Sequence, residues 1–129
     1  MTTFMKENKG FTLVELLLAV FILSTSIVGI LLLFSQSILS TEYAWDKTIA
    51  ISHVEATLEE MQLKDTLTEI TTTNWADWAI HQGFDTLPEE SLDVSFFDTA
   101  ADPLDIKVTV SWVRKQRKGE VTFRTQMTK

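Results

Sequence analysis

Positions 16–41 carry no charged side chain, and Leu, Ile, Val, Phe and Ala fill most of them. As a helix these 26 residues would reach roughly 39 Å, at about 1.5 Å per residue, enough to cross a hydrocarbon core of roughly 30 Å. From Ser35 the pattern turns one-sided. Ile38, Trp45, Ile49, Val54, Leu58, Met61 and Leu63 recur at helical spacings, with Glu42, Asp46, Lys47, Glu55, Glu59 and Glu60 between them. One helix is therefore expected to leave the bilayer and turn an apolar face to a core.

Beyond it the period changes. The Thr-rich stretch 66–74 suits an exit from the helix into loop or edge strand. Trp75, Trp78 and Phe84, with Asp77 and His81 interleaved, suit a short helix covering a sheet. Ile106, Val108, Val110 and Trp112 alternate with Lys107, Thr109 and Ser111. After a charged turn at 114–119, Val121, Phe123 and Met127 alternate with Thr122, Arg124 and Gln126, which predicts an antiparallel hairpin with one buried face. Residues 94–97 are a candidate third strand. The fold class expected is α+β: a long N-terminal helix, membrane-spanning in its first half and amphipathic in its second, packed on a small antiparallel β-sheet. The segments expected are 1–10 as a polar leader, 11–41 as membrane helix, 42–65 as amphipathic stem and 66–129 as a small β-rich domain.

Composition narrows this picture. The 129 residues include no cysteine, so a domain outside the membrane must be held by packing or assembly without a disulfide. The net charge of −7 argues against general affinity for nucleic acid or anionic lipid. Its distribution is uneven: fifteen of the eighteen carboxylates lie in 42–105, while 107–129 is basic. That division suits either head-to-tail packing of unlike surfaces or a solvated exterior.

The residue that needs explaining is Glu15, at the edge of the apolar run. An acidic group at the centre of a bilayer helix costs about 2.5–3.5 kcal/mol, so it requires a partner or a function. A cut between Gly10 and Phe11 would supply one, since the new α-amino group of Phe11 would be a cation four residues before Glu15. Gly10-Phe11-Thr12-Leu13-Val14-Glu15, after a short polar leader and before the long apolar helix, resembles the class III signal of type IV pilins and type II secretion pseudopilins. The resemblance implies a membrane peptidase that cuts after Gly10 and methylates Phe11, and subunit assembly through Phe11 and Glu15. An uncleaved signal anchor and a conventional signal cut near Ser35-Gln36-Ser37 are the alternatives; the second fits poorly, because 16–34 exceeds a typical apolar signal core of about 7–15 residues. Lys6 and Lys9 ahead of the helix place its amino end in the cytoplasm.

His53-Val54-Glu55-Ala56-Thr57-Leu58-Glu59-Glu60-Met61 and Val108-Thr109-Val110-Ser111-Trp112 resemble the stem and C-terminal strand of PilV-type minor pilins and I-type minor pseudopilins. The resemblance implies a minor structural subunit in a tip or initiation complex. It implies as partners the prepilin peptidase, other minor pilins or pseudopilins, an inner-membrane platform and the lipid bilayer. The chain departs from many pilins in having no proline in the middle of the apolar run; if the helix loosens on assembly, 24–29, with Ser24, Thr25, Ser26 and Gly29, is where that is expected.

Other candidates are weighed on their own residues. His53 and Glu55 lie two apart on a helix and point to different sides, so His53 reads as a stem histidine, not a metal ligand. Asp98, Asp102 and Asp105 fall in one turn-forming loop whose oxygens would suit calcium, without the glycine and alternate acids of an EF-hand. The basic tip 114–118 could touch DNA in an uptake pilus, meet an acidic neighbour or keep the hairpin soluble. No G-x-S-x-G, G-x-x-x-x-G-K or H-E-x-x-H motif is present, and neither an enzyme nor a bound cofactor is expected.

Overall fold

With no proline before Pro88, nothing interrupts the helical pattern after Thr12, and α1 runs Leu13–Leu63 in the computed structural model. The structure describes residues 10–129; the leader expected at 1–10 lies outside the described residues except for Gly10. The chain divides into two compact units, with the division between Ser40 and Thr41.

In the first unit every described residue is exposed, and the helix is long and apolar enough to cross a membrane. Its hydroxyls turn inward to their own backbone. Ser24 Oγ donates to the Val20 carbonyl at 2.7 Å, Thr25 Oγ1 to Ile22 at 2.9 Å, and Ser26 Oγ to Ile22 at 2.7 Å. Such bonds spare the hydroxyls an unsatisfied existence in lipid. The helix is continuous through 24–29, the stretch named for any loosening on assembly.

The second unit packs the stem, two short helices and a three-stranded antiparallel sheet around one core, giving an α+β fold. The strands β1 (Ser91–Phe96), β2 (Leu104–Arg114) and β3 (Arg117–Met127) lie in the order β1-β2-β3. Leu92 pairs with Val110 and Val94 with Val108, while Val110 faces Val121 and Trp112 faces Gly119. The period-two pattern therefore puts Leu104, Ile106, Val108, Val110 and Trp112 on one buried face of the central strand. Against them the core gathers Ala50, Val54 and Met61 from the stem with Ile70, Trp75, Ala79 and Leu87.

The stem differs from expectation in which face is buried. Asp46, Ala50, Val54, Thr57 and Met61 are buried, whereas Trp45 is 69% exposed and Ile38 and Leu63 are also exposed. Thr57 is accepted in the core because its hydroxyl donates to the His53 carbonyl at 2.8 Å, and an ion pair with Arg114 makes a carboxylate acceptable at 46. Residues 66–74 are also not the loop or edge strand expected. Leu67–Thr72 forms α2, because Thr66 caps it by accepting from Glu69 N–H at 3.2 Å and Glu69 Oε2 accepts from Asp65 N–H at 3.0 Å. Its Ile70 is buried, and the carbonyl of Ile70 receives the Trp75 indole N–H at 2.8 Å. The helix expected around Trp75 and Trp78 is α3 (Trp75–His81), capped by Asn74.

The hairpin turn is tighter than the 114–119 stretch expected. Lys115 and Gln116 alone form it, with φ of 49° and 64°, and Arg117 already pairs with Arg114. Two positive φ values match a primed two-residue turn, which suits strand twist but which non-glycine residues adopt at a cost. Phe123, expected on the buried face, is half exposed on an edge strand.

Candidate functional site

The start of α1 is built by a reciprocal pair of hydrogen bonds. Thr12 N–H donates to Glu15 Oε2 at 2.9 Å, and Glu15 N–H donates to Thr12 Oγ1 at 3.2 Å. This is a capping box, which satisfies donors that a helix leaves open at its first turn. The carboxylate also sits in the positive end of the helix dipole. Glu15 thus has a neutral local partner in Thr12, beside the Phe11 ammonium expected from the sequence. The signal that reveals it is the spacing Thr-x-x-Glu at 12–15, readable without coordinates.

Gly10 and Phe11 precede the helix, and Phe11 is 91% exposed. A Cβ added at Gly10 would meet nothing within 4 Å. Among the described residues the cap engages only one of the two carboxylate oxygens, Oε2. Neither capping bond uses a group of residues 1–10. The cap can therefore hold Glu15 in place whether or not a leader is attached.

The stem and hairpin meet through charge at the other candidate positions. Asp46, 2% exposed, receives a fork of bonds from Arg114: Nε to Oδ2 at 2.6 Å and Nη2 to Oδ1 at 2.9 Å. That hydrogen-bonded carboxylate holds the Arg114 guanidinium above its already high ordinary pKa. Lys115 Nζ reaches Glu42 Oε2 at 3.0 Å, and the Tyr43 and Trp112 rings lie 6.1 Å apart. The basic tip is thus partly spent on the stem, and only Arg117 and Lys118 among its cations lack a carboxylate partner among the described residues.

His53 is paired, with a residue that spacing along the helix does not suggest. Its Nδ1 meets Glu90 Oε1, whose side chain is 3% exposed, and Glu90 Oε2 accepts the Leu87 N–H at 3.2 Å. Phe84 stacks on the imidazole at 4.2 Å. The pair ties the stem to the segment before β1. His81 bonds to the Asp77 carbonyl of its own helix at 2.8 Å.

Of the three carboxylates expected in one loop, Asp105 lies on β2 instead, and it and Asp98 are engaged by different partners. Asp98 Oδ1 accepts the Ala100 N–H at 2.9 Å, while both oxygens of Asp105 are taken by Arg124, at 2.9 and 2.7 Å. Among the described residues no three His, Cys, Asp or Glu side chains are placed to hold a metal. Arg124, through its hydrogen bonds, holds the Asp105 carboxyl below its ordinary value. A depressed carboxyl contributes stability that is present above the unfolded value near pH 4 and is lost as pH falls through the lowered one. Arg124→Gln is expected to lower stability by a small, constant, salt-sensitive amount between roughly pH 5 and 7, with the difference vanishing below about pH 4. Acid unfolding followed by near-ultraviolet circular dichroism at two salt concentrations checks this. A difference that instead grew on acidification would contradict the pairing.

Comparison with known proteins places one feature. Residues 5–31 match the family described as the prokaryotic N-terminal methylation motif. No curated protein and no solved structure matches the chain.

Proposed function

We propose that this chain is a minor structural subunit of a type IV pilus or a type II secretion pseudopilus, matured by a prepilin peptidase. The reading rests on one observation: the methylation motif at 5–31 leads into an exposed apolar helix whose first turn presents a capped Glu15. Cleavage between Gly10 and Phe11 frees the Phe11 amino group, which the peptidase methylates. Glu15 of one subunit then meets that cation on a neighbour, using the oxygen the cap leaves open, as the apolar helices pack together.

The chain is on this reading a substrate of the peptidase and a building block, not an enzyme. It resides in the inner membrane as a single-pass protein, with 42–129 outside the cytoplasm, and passes into the filament with other minor subunits at an inner-membrane platform. A tip or initiation role is favoured by a small domain with no cystine. The rival reading, DNA contact by the hairpin tip, loses support because Arg114 and Lys115 are engaged by Asp46 and Glu42.

Mass spectrometry of the protein from its native membrane tests this directly. The expected mature chain begins at N-methylated Phe11. A chain retaining residues 1–10 while functioning normally would replace this reading with that of a signal-anchored envelope protein.

A further inference from the structure

The strand β3 is an open edge of the sheet. It has one neighbour, β2, it runs 11 residues without a proline, and its register against β2 is continuous. A long, regular edge of this kind is a template for a further strand. Phe97 N–H donates to the Asp105 carbonyl and Val113 N–H to that of Pro88, so the odd-numbered residues of β2 turn their backbone groups toward β1 and the segment before it. The even-numbered ones therefore bond to β3, at Gly119, Val121, Phe123 and Thr125. That leaves Lys118, Glu120, Thr122, Arg124 and Gln126, all exposed, with N–H and C=O directed away from the hairpin. Among the described residues no backbone bond joins β3 to any element but β2.

The side chains along this edge complement their own reversed order. Two copies of β3 laid antiparallel over their full length are centred on Thr122. Glu120 of each then lies opposite Arg124 of the second copy, and Lys118 opposite Gln126. On the other face Val121 meets Phe123 of the second copy, a ring left half exposed in the single chain. Opposite charges and aromatic–β-branched pairs are favourable cross-strand partners. Sliding the strands by two residues separates Glu120 from Arg124, and in one direction sets Lys118 against Arg124. Asp105 engages Arg124 through Nε and Nη2, which leaves Nη1 outside that fork. Residues directly opposite share a face, so the polar faces of the two sheets become continuous and both stems lie on the other side.

We propose that β3 is a self-complementary edge, at which two copies of this chain pair antiparallel about Thr122, three strands from each forming one sheet. Glu42 and Asp46 meet Lys115 and Arg114 at the hairpin turn, and the Gln62 carbonyl accepts from Lys129 beyond the far end of β3. The stem therefore runs alongside β3 in the same direction, and the two-fold axis sets the two stems in opposite directions. On the reading proposed above, neighbours in one filament have stems running alike. Copies paired through β3 thus come from two assemblies that face each other.

The chain has no cysteine, so one introduced thiol reports the contact. A hydrogen-bonded antiparallel pair has its Cα atoms about 5.5 Å apart, within the roughly 4.4–6.8 Å that a disulfide bridges. In the detergent-solubilised full chain under mild oxidation, Thr122→Cys is expected to give a disulfide-linked dimer severalfold faster than Ser95→Cys, an exposed position on the other edge strand. Added to Thr122→Cys, Glu120→Arg alone and Arg124→Glu alone each set like charges opposite one another, and each is expected to slow the reaction severalfold. An equal mixture of the two variants regains both ion pairs in the mixed dimer, and the disulfide is expected to return. Thr122→Cys reacting no faster than Ser95→Cys overturns the pairing. A disulfide indifferent to both reversals overturns it too, as does one that fails to return on mixing variants whose near-ultraviolet circular dichroism is intact. None of these outcomes touches the filament reading, which the mature amino terminus tests separately.

Discussion

Glu15→Val is expected to leave the chain in the membrane while reducing its incorporation into filaments by roughly a hundredfold or more. Removing one member of a buried ion pair costs about 3–5 kcal/mol, because the survivor stays charged in a medium of low dielectric, and about 1.4 kcal/mol is a factor of ten. On the proposed reading, the survivor is the Phe11 ammonium of the neighbouring subunit. Insertion itself becomes easier, since the substitution removes a carboxylate that disfavours the bilayer by about 2.5–3.5 kcal/mol when central. The structure adds a complication, because Glu15 also caps its own helix through Thr12 N–H, and losing a cap costs about 0.5–2 kcal/mol. Glu15→Gln separates the two roles: its amide oxygen can still accept from Thr12, but it has no charge for the ammonium. Crosslinking to filament partners, alongside membrane fractionation, is expected to place Glu15→Gln with Glu15→Val. Wild-type crosslinking in Glu15→Gln would show that the cap, not the charge, carries assembly.

The long helix and the central strand were legible because their patterns are strong and singular. An uncharged run of this length has few alternatives, and Ile106, Val108, Val110 and Trp112 do share a buried face. Misreadings arose where one polar residue was satisfied by a distant partner. Asp46 looked like a solvent-facing position and is buried, because Arg114, 68 residues away, meets it with two hydrogen bonds. His53 looked unpartnered among its helical neighbours and binds Glu90 from another element. Sequence spacing reports only local partners, and both of these pairings are set by the sheet.

Two further differences were local and could have been read. Thr66 with Glu69 is a helix-start signature like Thr12 with Glu15, and threonine's strand preference obscured it. Phe123 fits the alternation, but β3 is an edge strand, and its register opposite Val108 leaves the ring half uncovered. Alternation tells which face a residue shares, not whether anything lies over it.

The second large effect concerns Trp112, the largest fully buried side chain, and the glycine that faces it. A Cβ at Gly119 would lie 2.4 Å from Cε2 and Cζ2 of the indole and 2.9 Å from its Nε1. The ring packs in the core within reach of Tyr43 and has little room to retreat. Gly119→Ala is therefore expected to destabilise the domain by about 1–3 kcal/mol through overpacking, even though alanine in a strand is otherwise favoured over glycine by about 0.5–1 kcal/mol. Trp112→Ala removes the anchor itself and is expected to cost about 3–5 kcal/mol, lowering Tm by roughly 12 °C or more. The decisive measurement is the cycle. In a Trp112→Leu background the smaller side chain vacates the indole's space, so adding Gly119→Ala should cost little or restore stability, with a coupling of about 1–3 kcal/mol. Thermal unfolding of the detergent-solubilised full chain, followed by near-ultraviolet circular dichroism, gives all four corners. Equal costs for Gly119→Ala in both backgrounds would mean that the indole is not what requires glycine there. The residue's φ lies outside the left-handed region, so backbone freedom could not take its place as the explanation.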